Sequence, residues 1–457
     1  MSYREPRCAA SASALQPNDS DHHGDGIEPP PDGGYGWLCV LGQFLVNGFT
    51  WGVAAVSQPM PAAQCTKLTA PRPKSYSVYL AHYLSHSLFP EARPLDYALV
   101  GGFNFAFALL VAPVATLLMR CYGVKAPMFL GVVLLPVGFV SASFATRAWH
   151  LYLSQGMCVG LGIGLLYIPA AAVVPQWFSK KRSLAFGICA AGSGIGGLVI
   201  CFSTQAMLES LGLVWSLRIT AVIVFVVNLL ATLLVRSRND EIQPDQRMFA
   251  VHLLASYQVR LLLCWSIILM FGYIVLMFSL SDYALAIGRS SQDSATVAAV
   301  LNLGAALGRP LIGHLSDRYG RVEVAGVTTL VCGGLVFALW IPTTSYYVLI
   351  AFALLSGAIL GIFWAVISPM AAEIVGLKES PALLSIAWLS VVVPSLFAEV
   401  IALELRRPSL GSRSYIYAQV FTGVSYLTAS LPLLELWRVR RKEQHRELRC
   451  GTSRAAC

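Results

Sequence analysis

A single arginine inside a long apolar stretch is the residue of this sequence best placed to do chemistry. Arg309 lies in LNLGAALGRPLIG, about 15 residues into its apolar window, or roughly 22 Å along a helix. Ionised side chains in such surroundings are costly and usually mark a substrate or ion pathway. Because a guanidinium in a low-dielectric cavity needs an anion, carbonyl groups or water, Arg309 is predicted to contact an anionic or polar substrate. The alternative is a structural role in which it bonds to neighbouring carbonyls.

Uncharged polar and aromatic residues in other apolar windows are candidates for the lining of the same cavity. The amides are equally well explained as interhelical hydrogen bonds, and aromatic side chains in such windows more often face lipid or the core. The amides are Asn47, Asn104, Gln155 and Asn302. The aromatic residues are Tyr273, Phe363, Trp364 and Trp388.

Three further charges form a second candidate group. Arg218, Asp282 and Glu399 all fall near the outer membrane surface when each helix is counted at ~1.5 Å per residue. A pairing of Arg218 with Asp282 or Glu399 would make an outer gate or a static strut. Glu399 lies too far outward to serve as a partner for Arg309.

The sequence lacks the motifs of enzymes and of ATP-driven pumps. No phosphate-binding loop precedes a Lys-Ser or Lys-Thr pair, no metal-ligand spacing appears, and His314 has no companion. We therefore expect neither an enzyme nor a bound metal or cofactor.

The composition predicts the elements that position these residues. Hydrophobic residues make up 56% of the 457 residues, charged residues only 12%, and the mean hydropathy is +0.66. Such a chain is an integral membrane protein, with the lipid bilayer as its surroundings. A membrane-spanning helix needs ~20 mostly apolar residues. The sequence offers twelve such windows: 35–57, 95–119, 127–146, 150–174, 184–207, 214–236, 260–282, 294–315, 323–343, 346–368, 381–404 and 414–437.

The distribution of basic residues predicts the orientation. With both termini in the cytosol, 21 of the 32 Lys and Arg residues lie in inner segments and 9 in outer loops, and the other two lie within spans. This is the positive-inside pattern. The net charge of +9 therefore reflects topology and not a nucleic-acid partner. We expect a multi-pass protein of the plasma membrane with both termini cytosolic.

The longest inner loop divides six spans from six, which predicts two six-helix bundles. The expected organisation is a disordered cytosolic tail at 1–34, a first bundle at 35–236, a cytosolic linker at 237–259, a second bundle at 260–437 and a basic cytosolic tail at 438–457. A short internal sequence repeat agrees with this division, although chance explains the repeat equally well. Tyr122 and Gly123 follow the second span as Tyr319 and Gly320 follow the eighth.

The second copy of this sequence repeat contains more of a known motif than the first. GHLSDRYGR, from Gly313 to Arg321, resembles the loop signature of the major facilitator superfamily. Gly313 permits close helix approach, Gly320 permits a tight turn, and Asp317 can pair with basic groups or with a helix N-terminus. Such a cluster can hold the inner ends of the two bundles together in one state and release them in another. The simpler reading, preferred for Arg318 alone, is a solvated turn.

Two more motifs resemble the signatures of the monocarboxylate transporter family within that superfamily, in particular its fungal members. They are PPDGGYGWLCVLG at 30–42, which opens the first span, and WFSKKRSLAFGICAAGSG at 177–194, which joins the fourth span to the fifth. Without the family, the same residues can be read as a turn, interfacial aromatic anchors and a basic loop. The signature residues are Asp32, Gly33, Gly34, Tyr35, Gly36, Trp37, Lys180, Lys181 and Arg182.

The resemblance implies an all-α membrane protein of twelve transmembrane helices in the major facilitator fold. It implies a secondary carrier that moves a small organic molecule, monocarboxylate-like or another polar metabolite, by alternating access. A monomer would suffice, and a co-transported proton is a further candidate partner. A non-transporting nutrient receptor and an exporter of a secondary metabolite are the alternatives.

The resemblance also assigns residues. It implies that Arg309 takes part in binding the substrate carboxylate. The family's aspartate one turn earlier is Ala305 here, and the lysine of its first span is Ala55. Because proton-linked members are thought to couple through those two groups, their loss puts proton coupling in doubt.

One segment does not fit the first helix. Residues 56–74 contain four prolines, each incompatible with a helix interior at a cost of about 3 kcal/mol or more. Removing them joins WGVAA to SYSVYLAHYL in one long helix. We interpret 56–74 as an insertion, either an outer loop or an unspliced intron read as protein.

Overall fold

A computed structural model describes residues 30–57, 94–247 and 250–455. Every regular element within these residues is a helix. Eleven of the helices are long and apolar enough to cross a membrane. The twelfth predicted window, 414–437, is occupied by the first part of one further helix, whose run of Gln, Thr, Ser and Tyr makes it less apolar than the others. The predicted all-α, twelve-helix fold is confirmed, and most of residues 56–74 lie outside the described part.

The first half contains helices α1 to α6. They are α1, Gly36–Ser57; α2, formed by Pro94–Leu110 and Ala112–Tyr122; α3, Lys125–Ala142; α4, which runs through Ala148–Leu151, the π-helical Tyr152–Cys158 and Val159–Trp177; α5, Arg182–Leu208; and α6, Ser210–Leu234. The backbone breaks between α5 and α6 at Gly212, whose φ is 76°. The next segment holds a one-turn helix, Asn239–Ile242, and a 3-10 turn, Val251–Ala255.

The second half contains helices α7 to α12. They are α7, Tyr257–Ala286; α8, Ser291–Tyr319; α9, Arg321–Leu335 with the π-helical Val336–Trp340; α10, formed by Tyr346–Leu360 and Ile362–Ile374; α11, formed by Gly376–Ser390 and Val392–Glu404; and α12, Ile416–Ala455. A 3-10 turn, Pro408–Arg413, precedes α12. Since α12 continues to Ala455, most of the predicted basic tail is helical.

Each half packs around its own helix pairs. In the first half α1 lies against α5 and α6, and α3 against α4; in the second half α7 and α9 lie against α12, and α8 against α10. The halves meet mainly where α5 packs on α8 and where α2 packs on α11. Any relative motion of the two bundles must therefore be accommodated at these two helix pairs.

The internal sequence repeat corresponds to two equivalent turns. Gly123 after α2 and Gly320 after α8 both have positive φ, 81° and 104°. Each donates its backbone N–H to the carbonyl four residues back, that of Met119 or Ser316. Glycine adopts this left-handed conformation without the steric cost that a Cβ brings, so both tight turns depend on it.

Candidate functional site

A cavity of about 70 Å³ lies between the two halves. Its wall is built by α1, α2, α5, α7, α8 and α10, so both bundles contribute. Five lining residues carry polar side chains: Asn47, Ser193, Tyr273, Asn302 and Arg309. The apolar lining consists of Trp51, Phe105, Met277, Leu301, Ala305, Leu360 and Trp364, and Gly361 completes the wall.

Arg309 lies in the wall of this cavity and ties α8 to α5. The residue is only 7% exposed. Its Nη1 donates to the Ala190 carbonyl at 2.6 Å and to the Ser193 hydroxyl, both on α5. Its Nε has no hydrogen-bond partner among the described residues, and none of their carboxylates lies within 4.0 Å of the guanidinium. The guanidinium is therefore a buried cation that is bonded to α5 through Nη1, has Tyr273 as a polar neighbour, and has no carboxylate beside it among the described residues.

A glycine at a break in α10 leaves room for the guanidinium. The helix is interrupted between Leu360 and Ile362, and Gly361 lies at the interruption. A Cβ on Gly361 would stand 2.5 Å from Nε and 2.8 Å from Nη2 of Arg309. Such approaches are shorter than Cβ atoms tolerate, so any larger residue here would displace the guanidinium.

The position one turn before Arg309 adds space and no charge. Ala305 lines the cavity, four residues before Arg309 and therefore on the same face of α8. The counter-ion implied by the family resemblance is thus replaced by a methyl group at the cavity wall. The side chain of Ala55, the other departure from the family, lies outside the described part.

Two of the predicted amides come together with Arg309, and two do not. Asn47 and Asn302 line the cavity; each donates its side-chain N–H to the carbonyl four residues back, at 3.0 Å. Gln155 and Asn104 are buried but are not part of the lining. The Asn104 amide donates to the main-chain carbonyl of Gln155 at 2.7 Å, the interhelical bond that was the alternative reading.

Two aromatic residues of the lining were missed by the sequence reasoning. Trp51 and Phe105 join Tyr273 and Trp364 on the wall. The available signal was helical spacing, because Trp51 follows Asn47 by four residues and so shares its face. Of the other predicted aromatics, Trp388 stacks behind Trp364 with ring centroids 5.6 Å apart and a 14° interplanar angle.

The GHLSDRYGR signature contacts the start of α5 at the end of the bundles that is predicted to face the cytosol. Asp317 accepts the backbone N–H groups of Ser183 at 2.9 Å and Leu184 at 2.8 Å. Helix N-termini carry unpaired N–H groups and a partial positive charge, which a carboxylate satisfies. Gly313 packs against the main chain of Ser183, so the two helices approach closely here.

Arg321 extends this contact into a network. It donates to the Ser183 hydroxyl at 3.0 Å and pairs with Glu373 of α10 at 2.9 Å. Arg440 of α12 pairs with the other oxygen of Glu373 at 2.6 Å. Arg318, in contrast, is exposed and stacks on Tyr319, as the solvated reading predicts. We call Asp317, Arg321 and their partners Ser183, Leu184 and Glu373 the inner latch.

The two monocarboxylate-transporter-like motifs contact each other. Asp32 accepts the backbone N–H groups of Ser179 at 2.6 Å and Lys180 at 2.8 Å. Tyr35 packs on Trp177, with ring centroids 5.8 Å apart.

The remaining signature residues complete this join. Gly33 and Gly34 form the turn, Gly36 packs against Trp177, and Trp37 contacts Phe178. Lys180 and Lys181 are exposed, and Arg182 is buried and donates to the Phe178 carbonyl at 2.9 Å. Residues 30–34, predicted to belong to a disordered tail, therefore have a defined place.

The outer charges do not form one cluster. Arg218 donates to the Ser143 hydroxyl at 3.4 Å and lies over the rings of Phe144 and Trp215. Asp282 instead accepts the hydroxyl of Tyr415 at 2.7 Å. Glu399 is buried at 5% exposure and makes no ion pair within the described residues. The structure thus does not bring Arg218 to either carboxylate.

Comparison with known families finds a match over most of the chain. The sequence model of the Major Facilitator Superfamily matches residues 39–288 and 262–449. The chain is 34% identical over 406 residues to Probable transporter MCH2 of Saccharomyces cerevisiae, covering 88% of this chain and 82% of that protein.

Similarity extends beyond fungi and to solved structures. The chain is 26% identical over 404 residues to Monocarboxylate transporter 12 of Xenopus laevis, covering 82% of this chain and 83% of that protein. A bacterial homologue of the iron transporter ferroportin, solved in an outward-facing state, matches with a TM-score of 0.63 and 14% identity. That match covers 88% of this chain and 98% of the solved one and bears on the fold alone.

Proposed function

Since the chain belongs to the Major Facilitator Superfamily and is a secondary transporter, we propose that its substrate is a small organic anion whose carboxylate binds Arg309. The observation that carries the proposal is the state of that guanidinium. It is buried in the wall of the cavity between the bundles, with an unpaired Nε and no carboxylate nearby among the described residues. Burying an unpaired charge costs several kcal/mol, so a substrate carboxylate is the group that best completes the site.

Arg309 also links substrate binding to the relative position of the bundles. It belongs to α8 of the second half, and it donates to Ala190 and Ser193 of α5 in the first half. A carboxylate that accepts from the free Nε edge draws the guanidinium toward itself and so weakens the Nη1 bonds to these two acceptors. Binding therefore loosens a tie between α5 and α8, and this release favours rocking of one bundle against the other. Asn47 of α1 and Asn302 of α8 supply polar groups on opposite sides of the same space.

The inner latch closes the cytosolic end in this arrangement. Asp317 of α8, two turns inward from Arg309, and Arg321 of α9 both contact the start of α5. We propose that the latch holds the inward side shut and opens when the carboxylate weakens the Arg309 contact. Release then occurs to the cytosol; uptake and export use the same steps, and the gradient sets the direction.

Proton coupling through the cavity has little support. Among the described lining residues, Arg309 and Tyr273 are the ionisable ones, and neither exchanges a proton readily near neutral pH. We propose that the substrate crosses as an anion without a proton carried by the cavity wall. The check is initial uptake into vesicles held at one external pH, with and without a pH gradient. Rates within twofold of each other are expected, whereas uptake that needs the gradient would contradict this part of the proposal.

The central test compares Arg309 variants in proteoliposomes, using a panel of labelled carboxylates. Truncating one partner of a buried charge pair costs about 2 to 5 kcal/mol, which is about thirtyfold or more. Arg309→Ala should therefore lower kcat/KM at least that far, and Arg309→Lys by less, because lysine keeps the charge but loses the planar fork. Arg147→Ala removes an exposed arginine and is the matched control. Undiminished carboxylate transport by folded Arg309→Ala would sink the proposal.

The orientation and membrane are part of the same proposal. The basic latch end is placed in the cytosol because inner segments hold most Lys and Arg. Epitope tags at the two termini should be accessible only after the plasma membrane is permeabilised. Surface labelling of either tag in intact cells would reverse the assignment.

A further inference from the structure

We propose that Trp51 and Trp364 form a selectivity element that favours carboxylates with a flat apolar body over short aliphatic ones. This inference rests on the proposed anion site at Arg309. The two indoles come from opposite bundles, α1 and α10, and their ring centroids are 5.3 Å apart. Both line the same cavity as Arg309. The rings and the guanidinium are thus within one small space that a single ligand can contact.

The two rings are held by further aromatic side chains. Phe105 lies 4.9 Å and Tyr167 5.7 Å from Trp51, and Trp388 stacks on Trp364 at 5.6 Å. Tyr167 and Trp388 are almost fully buried. Because each backing ring is fixed by its own packing, the faces of the two indoles keep a defined orientation toward the cavity. A preorganised aromatic surface favours a planar ligand that stacks on it.

The contact between the two rings crosses the surface along which the bundles separate. A carrier that alternates between two open states must part Trp51 from Trp364, since one belongs to each bundle. When the rings part, each loses an apolar neighbour unless another group takes its place. A flat substrate body inserted between them restores the aromatic contacts, whereas a two- or three-carbon acid is too small to do so.

A polar atom on Trp51 adds a second, independent indication. Its indole Nε1 is shielded from solvent and has no hydrogen-bond partner among the described residues. Buried tryptophan N–H groups usually have a partner, and leaving such a donor unpaired is costly. A hydroxyl or carbonyl oxygen on the apolar body of the substrate would accept from it. The chemical class is therefore an aromatic or similarly planar carboxylate with a further oxygen acceptor.

The experiment measures binding to the purified full-length protein by equilibrium dialysis of labelled phenylacetate. Unlabelled 4-hydroxyphenylacetate, phenylacetate, cyclohexylacetate and acetate serve as competitors. Apolar pocket contacts discriminate between ligands by about tenfold or more. We expect phenylacetate to compete at least about tenfold better than acetate, better than the non-planar cyclohexylacetate, and less well than its 4-hydroxy derivative.

Three variants test the assignment. In the parent, the half-inhibitory concentration of acetate should exceed that of phenylacetate at least about tenfold. Trp364→Ala and Trp51→Ala should lower this ratio of concentrations to below about threefold, and Trp364→Phe should keep most of it. Trp149→Ala, which removes a half-exposed tryptophan of α4, should leave the ratio unchanged. Size-exclusion profiles identify variants that fail to fold. If an alanine variant fails to fold, Trp364→Phe still tests the assignment.

The possible failures are distinguishable. Equal competition by all four acids, or a ratio that neither tryptophan variant alters, overturns the selectivity element. If Arg309→Ala still abolishes binding in that case, the anion site survives. Phenylacetate binding that is unchanged in Arg309→Ala instead overturns the anion site, and the absence of phenylacetate binding to the unaltered protein overturns the selectivity proposal outright.

Discussion

The turn after α2 and the turn after α8 have the same backbone and different chemistry. Both bend at a glycine of positive φ, Gly123 or Gly320. Before the second turn stands Asp317, which accepts two N–H groups at the start of α5. At the matching position before the first turn stands Arg120, which is exposed. The two halves therefore share the shape of the turn, but only the second half has the carboxylate contact.

The helix that packs on this end of α2 also differs from α5. The inner segment of α2 packs on the first segment of α11, whose start has no side-chain cap. A basic side chain cannot accept from the N–H groups of a helix N-terminus and is repelled by its partial charge. At α5–α8 the bundles are thus joined by a carboxylate that caps a helix start, whereas at α2–α11 no side chain among the described residues caps the start of α11. In the proposed orientation, opening toward the cytosol should therefore depend on one latch, not two.

The largest effect should follow from removing the latch carboxylate. Asp317→Ala leaves two N–H groups of α5 without their acceptor and Arg321 without one partner. Hydrogen bonds to charged groups contribute about 1.5 to 3 kcal/mol each, so we expect a loss of at least about 2 kcal/mol in closed-state stability and a tenfold or greater fall in transport rate. Proteoliposome uptake and thermal unfolding in detergent measure the two quantities.

The control for that variant is the other aspartate near the start of α5. Asp32 accepts the Ser179 and Lys180 N–H groups from within the same bundle. Asp32→Ala should lower thermal stability but alter the transport rate less than Asp317→Ala does, because no inter-bundle contact is broken. Equal transport defects in the two variants would mean that the latch is only a structural cap.

A smaller effect is expected from Glu373, which joins Arg321 of α9 to Arg440 of α12 within the second bundle. Glu373→Gln keeps the shape and removes the charge. Partly exposed ion pairs contribute about 1 kcal/mol or less each, so the transport rate should fall about threefold. Because salt screens the ion pairs of the parent, added salt should reduce the difference in transport rate between variant and parent. A defect as large as that of Asp317→Ala would instead make Glu373 the main element of the latch.

Installing the missing carboxylate should have a modest effect. Arg120→Asp places an acid beside the start of α11, where helix-dipole interactions contribute about 0.3 to 1 kcal/mol. A second polar contact would stabilise cytosolic closure, so turnover should slow by about twofold while thermal stability rises slightly. Faster turnover than the parent would show that the first turn does not take part in closure.

The smallest effect should come from Arg318. Although it belongs to the loop signature, it is exposed and lies over the ring of Tyr319. Surface substitutions of this kind change stability by about 0.5 kcal/mol or less. Arg318→Ala should transport within twofold of the parent, and a larger loss in the same uptake assay would assign it a role that its position does not explain.

Much of the fold could be predicted from the sequence because membrane helices are specified locally. The windows needed only apolar length, and the helix starts and ends agree with them to within a few residues at most positions. The close approach of Gly361 in α10 to the Arg309 guanidinium was not predicted, since it depends on a side chain of another helix. The insertion at 56–74 stays a prediction that transcript sequencing can test; reads that uniformly contain the segment would refute the intron hypothesis.

The site was predicted in part. Arg309 was identified because a charge in an apolar window is conspicuous, and Asn47 and Asn302 lie with it on the cavity wall. Gln155 looked equivalent in sequence, but it is not part of the lining, and its main-chain carbonyl accepts from the Asn104 amide. Trp51 was overlooked because an aromatic residue in a membrane helix is ordinary until its neighbours are known.

The sequence by itself determined the number of spans, their expected orientation, the two glycine turns and the loss of the family's aspartate at Ala305. These features depend on residues close together in the chain, where apolar length and backbone conformation suffice. Only the tertiary structure decided that Asp317 meets Ser183, 134 positions away, and that Trp51 meets Trp364. The physical reason is that hydrophobicity specifies that a helix lies in the membrane, whereas packing between helices specifies which of its faces meets which partner.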